Sequence, residues 1–180
     1  LKFVQSVIAK EQAKEIFSKQ RTILRKKKGT IIKIELIYLP CYVFEVTVKT
    51  KKGERKSYVS VDGIRGTFSF LNLENAALKE EEYPSFYFEM KEKEAREIAK
   101  TEYKGEILRS GLIAKNPAEL KEISKGEKMY YPFWICYYKK RNIFNFDAID
   151  GISGKTQSIK MNPVFLHAFH QEKGTDVCMN

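Results

Sequence analysis

Residues 60–68 read SVDGIRGTF and residues 148–156 read AIDGISGKT. Each closes a β-like run with Asp-Gly-Ile-x-Gly. A tight β-connection needs backbone at positive φ, which glycine supplies without steric cost. Aspartate closes such a corner by accepting backbone N–H groups a few residues on. Asp62 with Gly63 and Gly66, and Asp150 with Gly151 and Gly154, are therefore expected to be structural turns. The competing reading, a cation site on Asp62, Asp147 and Asp150, lacks the remaining oxygen ligands of a calcium loop.

Working outward, two more landmarks recur in the same order. AKEI (13–16) returns as AREI (95–98), and YLPCYVF (38–44) returns as YYPFWIC (130–136), aligned on Pro40 and Pro132. The spacing changes only where loops belong: a gain around SGLIAKNPAEL (110–120), and a loss where TKKGERK (50–56) becomes KKRN (139–142). The chain reads as a tandem repeat.

Each copy predicts a helix and then antiparallel strands. Ile8, Ala13, Ile16, Phe17, Gln20 and Leu24 make the apolar stripe of the first helix, and Met90, Ala95, Ile98, Ala99 and Tyr103 that of the second. Strands are expected at 31–38 and 41–49, interrupted at Pro40, which cannot donate to a ladder, then at 57–62 and 67–71. In the second copy they are expected at 128–139, 142–150 and 155–161. The run Met129–Tyr138 is apolar on both faces, so it is expected to be buried on both, by the other copy or by a partner. The fold class is α+β: two tandem repeats, each a helix packed on a bent antiparallel sheet. The repeats are 1–72 and 89–171, with a linker at 73–88 that starts as a short helix. Asn162 as N-cap and Pro163 at the first helical position open a closing helix, and 172–180 is a tail.

The helix KEKEAREIAKTE (91–102), the strands after it and FNFDAIDGISGKTQSI (144–159) resemble the PepSY family, as do KEQAKEIFSK and YVSVDGIRGTFSF in the first copy. The resemblance implies a small cystatin-like helix-on-sheet module. It also implies a non-enzymatic inhibitory or regulatory role, often near peptidases or at the cell envelope. No catalytic residue carries over.

The formal net charge of +10, from 33 basic and 23 acidic residues, favours an anionic partner: an acidic protein, nucleic acid or an anionic lipid surface. The positive charge gathers on two hairpin tips, Lys51, Lys52, Arg55 and Lys56 in the first copy and Lys139, Lys140 and Arg141 in the second. Arg25, Lys26, Lys27 and Lys28 end the first helix, where cations suit the helix dipole. Tyr130, Trp134 and Tyr138 form a candidate aromatic binding face. A protein partner is the leading expectation, with nucleic acid or anionic lipid as the alternative.

Three cysteines, Cys41, Cys136 and Cys178, make no disulfide framework and no Cys-x-x-Cys. They point to a cytoplasmic setting, or to the envelope if a leader or anchor precedes Leu1. No apolar run reaches the length of about 18 residues that spans a bilayer. No phosphate-binding, zinc-protease or serine-hydrolase motif occurs, and no cofactor is expected. The only histidines, His167 and His170, are spaced to share a helix face, with Glu172, Asp176 or Cys178 as further ligands of a minor metal alternative.

Overall fold

Pro40 does not end a strand. A computed structural model describes residues 1–23, 29–71, 77–80, 86–114 and 118–175, and in it β2 runs unbroken over Thr30–Thr50. The remaining elements, in chain order around β2, are β1 (Lys2–Val4), α1 (Lys10–Ile23), β3 (Gly53–Asp62), β4 (Phe68–Leu71), β5 (Leu78–Glu80), α2 (Glu92–Ala114), β6 (Glu119–Ile123), β7 (Glu127–Lys140), β8 (Ile143–Asp150), a 3-10 turn (Ile159–Met161) and α3 (Asn162–Thr175). The chain forms two compact units and crosses between them five times, two of the crossings lying in the proline-bearing strands. Unit one takes Leu1–Leu39, Asn75–Ser85 and Tyr130–Asn162; unit two takes Pro40–Glu74, Phe86–Met129 and Pro163–Asn180.

Unit one places α1 against β7 and β8. Ala13 and Phe17 of α1 pack with Trp134, Cys136 and Ile149, and Ile8, Ile16, Ile31, Ile34 and Leu36 close around them. β7 pairs antiparallel with β8 from Phe133↔Asp150 to Lys140↔Ile143. β1 joins β7 in parallel at Phe3↔Tyr130 and pairs antiparallel with β5.

Unit two places α2 against β2 and β3. Ala95, Ala99 and Tyr103 pack with Tyr42, Phe44, Val46, Val59, Val61 and Ile123. β2 lies between β3 and β6, and β4 extends the sheet beyond β3. Ala13, Ala95 and Ala99 are fully buried, and so small a side chain lets each helix axis approach its sheet closely. Each large apolar group beneath them adds about 1.5–3 kcal/mol by burial.

The sequence predicts that each helix covers the sheet of its own copy. The structure corrects this: α1 covers β7–β8, and α2 covers β2–β3. The compact units therefore cut across the expected boundaries 1–72, 73–88, 89–171 and 172–180. The apolar stripe of a helix states which face must be buried, not which strands do the burying.

Both helix starts use the same device. The Gln12 carboxamide accepts the Ala9 N–H at 2.9 Å, and the Glu94 carboxylate accepts the Lys91 N–H at 3.4 Å. This is one half of a capping box, and it occupies a helix-start donor that has no partner within the helix.

Three further expectations change. The strand expected at 155–161 is only an isolated bridge, Ile149↔Thr156, followed by the 3-10 turn. Asn162 has helical φ and ψ and continues the turn instead of capping a helix. The described residues of the gain around 110–120 belong largely to the end of α2 and the start of β6. The helix expected near residue 73 and the end of the tail, residues 176–180, lie outside the described residues.

Candidate functional site

The two Asp-Gly-Ile-x-Gly segments are turns, and each is also the socket of a helix. Asp62 Oδ1 accepts the N–H groups of Ile64 and Arg65 at 3.0 and 2.7 Å, and its Oδ2 accepts that of Thr67. Asp150 Oδ1 accepts the N–H groups of Ile152 and Ser153, both at 2.8 Å, while its Oδ2 takes the Tyr131 hydroxyl at 3.0 Å. The glycine after each Asp donates its N–H to the proline carbonyl of the neighbouring strand: Gly63 to Pro40 at 2.7 Å, Gly151 to Pro132 at 2.9 Å. That glycine's own carbonyl then accepts two amides at the entry to a helix. Gly63 takes Glu89 and Met90, before α2; Gly151 takes Val7 and Ile8, before α1.

The glycines are required by packing as well as by φ. Gly66 and Gly154 stand at φ +80° and +69°. A Cβ on Gly66 would lie 2.7 Å from Ile98 and Met90, and one on Gly154 would lie 3.0 Å from Ile16. A Cβ on Gly151 would meet the Pro132 carbonyl oxygen at 2.8 Å. One more bond fixes each helix: Tyr42 Oη–H donates to the Met90 carbonyl at 2.9 Å, and Trp134 Nε1–H to the Ile8 carbonyl at 2.8 Å. Tyr42 and Trp134 each stand two residues after the landmark proline.

The basic tips are two-residue hairpin turns. In unit two, Lys51 and Lys52 form the turn between β2 and β3 and are exposed, as are Arg55 and Lys56. Lys56 Nζ bonds Glu45 at 2.7 Å, and Tyr58 Oη donates to the other oxygen of that carboxylate at 3.1 Å. These bonds hold the Glu45 carboxyl below the usual carboxylate range and raise Lys56. Glu54 is matched in the same way by Lys121, at 2.5 Å. In unit one, Arg141 and Asn142 form the turn between β7 and β8 at φ 50° and 63°, the left-handed pair that matches strand twist. Arg141 and Lys139 are exposed, and Lys139 Nζ lies 5.2 Å from the centre of the Phe144 ring. The side chain of Lys140 and residues 24–28, which hold the basic cluster Arg25–Lys28, lie outside the described parts.

The aromatic face is not a surface. Tyr130 and Trp134 are 6% and 7% exposed. Tyr130 stacks on Phe3 with ring centres 4.7 Å apart, and Trp134 lies under α1. Tyr138 is half-buried. On the other face of β7, Tyr131, Phe133 and Ile135 are also buried, as expected for a strand apolar on both sides. The sequence marks these aromatics as apolar but cannot tell a core from a binding face.

The described parts of the closing helix do not gather ligands around the histidine pair. His167 Nε2 lies 3.0 Å from a Glu89 oxygen, while His170 is exposed. Glu172, Asp176 and Cys178 lie outside the described side chains. Among the described residues, no three His, Cys, Asp or Glu side chains gather around a point, and no helix is long and apolar enough to cross a membrane.

Two features escaped the sequence. A cavity of about 230 Å³ in unit one is lined by Trp134, Phe3 and Leu36 together with Gln5, Ser6 and Lys79. Its residues come from four separate stretches, so no local pattern announces it. The second tip also exposes Ile143 and Phe144, by 63% and 69%; their place in a β-alternation reads as ordinary strand.

A helix, a long strand through a proline and a hairpin closed by an Asp-Gly corner now lie in one continuous segment. Residues 7–67 match the PepSY family, the peptidase propeptide and YPEB domain. The PepSY match spans α1, β2, β3 and the first corner, and it ends at Thr67, whose N–H closes the Asp62 turn. The α+β character expected of a PepSY module is what the structure has. No curated protein and no solved structure matches the chain.

Proposed function

We propose that the chain is a non-enzymatic regulatory protein that binds a protein partner, built by duplication of a PepSY-like module. The match of residues 7–67 to a peptidase-propeptide family carries this reading; domains of this family often serve as propeptides or as regulatory, protein-binding modules. The recurrence of one corner, with the same proline, glycine and helix-entry bonds in each unit, supports the duplication. A contact with a partner must be made by exposed groups. In unit two these are Lys51, Lys52 and Arg55 on the first tip, which suit an acidic partner surface.

The test is capture from native lysate followed by reconstitution with the purified partner. The wild-type chain is expected to bind that partner, and to bind it at least tenfold more tightly than Lys51→Glu/Lys52→Glu. Failure of the purified pair to bind would contradict the protein-partner reading. Equal binding by the variant would move the contact away from this tip.

A further inference from the structure

The two hairpin tips differ in one respect that charge counting hides. The first exposes only polar groups around its turn, and its two glutamates are engaged by Lys56 and Lys121. The second, KKRNIFNF (139–146), contains no acidic residue and exposes two large apolar side chains directly after the turn. Ile143 stands opposite Lys140, and Phe144 opposite Lys139.

Consecutive strand residues point to opposite faces of the hairpin. Ile143 and Phe144 therefore expose apolar area on both faces of the same end. Docking on a flat protein surface covers one face and leaves the other in water. A medium that surrounds the end covers both. The cations beside the pair repel a cationic medium and suit an anionic one, and long Lys and Arg side chains can keep their charges at a polar boundary while their stems lie against apolar material. Ile143 and Phe144 are the first two residues after the turn, so at about 3.4 Å per residue they reach no deeper than the interfacial zone of a bilayer, about 5–10 Å.

We propose that the β7–β8 tip is a membrane-surface anchor: Ile143 and Phe144 enter the headgroup–acyl boundary of an anionic bilayer, while Lys139 and Arg141 meet lipid phosphates. This is independent of the protein-partner reading, which places its contact on the other tip. The cation–π contact of Lys139 with Phe144 holds the ring beside the charge that guides it to the surface.

The test is sedimentation of the full chain with vesicles of phosphatidylcholine alone and of phosphatidylcholine mixed with phosphatidylserine. Binding is expected only to the mixed vesicles, and it weakens as salt rises. Neutralising two charges, in Lys139→Ser/Arg141→Ser, is expected to weaken binding about 25-fold, at about fivefold per charge. Ile143→Ser/Phe144→Ser, which keeps every charge, is expected to weaken it about tenfold or more. Unfolding curves followed by Trp134 fluorescence show that each variant folds. No vesicle binding, equal binding to both lipids, or undiminished binding by Ile143→Ser/Phe144→Ser would overturn the proposal. So would binding of a single-stranded oligonucleotide in place of the vesicles.

Discussion

The indole N–H of Trp134 donates to the carbonyl oxygen of Ile8 at 2.8 Å, across most of the chain in sequence. Tyr42 makes the corresponding bond to Met90 at 2.9 Å. In each case a side chain two residues past a landmark proline holds the entry of the helix packed in its own unit. The two bonds show in the smallest compass that each helix sits on the strands that follow the other.

Removing these donors tests that arrangement energetically. Tyr42→Phe keeps the ring and strands the Met90 carbonyl, so it is expected to lower unfolding free energy by about 1 kcal/mol. Trp134→Phe also loses ring volume in a buried site and is expected to cost more, about 2–3 kcal/mol. Denaturant melts of the purified variants provide the comparison.

The two corner aspartates differ in what their second oxygen accepts, and substitution by asparagine separates them. Asp62 Oδ2 accepts a backbone N–H, which an asparagine NH₂ would face donor to donor. Asp150 Oδ2 accepts the Tyr131 hydroxyl, which can rotate and accept from an NH₂ instead. Asp62→Asn is therefore expected to destabilise by about 2 kcal/mol and Asp150→Asn by less than about 1 kcal/mol. Equal losses in thermal or denaturant unfolding would contradict the assignment.

Glycine substitutions should rank by what stands in the way. In Gly151→Ala the new methyl meets the Pro132 carbonyl, backbone that cannot turn aside. In Gly63→Ala it meets first the Phe88 ring, which can move. Gly151→Ala is expected to be the worse of the two, at about 2–3 kcal/mol, with unfolding midpoints as the readout.

How much of this was legible beforehand depends on the kind of signal. The corner was legible because Asp and Gly at fixed spacing answer a local backbone demand. The helices were legible because Ala13, Ile16 and Phe17, or Ala95, Ile98 and Ala99, repeat at helical spacing. The exchange of helices was not, because nothing local distinguishes the Asp150 corner from the Asp62 corner as the socket for Ile8. Pro40 misled because a proline lacks only its donor: its carbonyl still accepts from Gly63, and β2 continues through it. The aromatic run of β7 was legible as apolar and buried on both faces, but whether the chain itself or a partner does the burying was not.

Cys41 gives a pH-dependent check on the core. Burial, reinforced by the Asp62 carboxylate, pushes its thiol up to about 12 from an ordinary value of 9.0. The folded state thus holds this proton more tightly than the unfolded one. Its contribution to stability is complete below pH 9.0 and is lost as pH rises from there towards 12. Cys41 is expected to resist alkylation in the native protein at mildly alkaline pH and to react on unfolding. Rapid native labelling, located by peptide mapping, would contradict its placement.

The exchange of helices is tested most directly by the contacts of the single tryptophan in solution. Trp134 is the only indole, so its ring protons are unambiguous in a nuclear Overhauser spectrum. The account predicts cross-peaks from the Trp134 indole to the methyl group of Ala13 and the side chain of Phe17, on α1. Cross-peaks instead to the methyl groups of Ala95 and Ala99 would place α2 over β7–β8 and would contradict it.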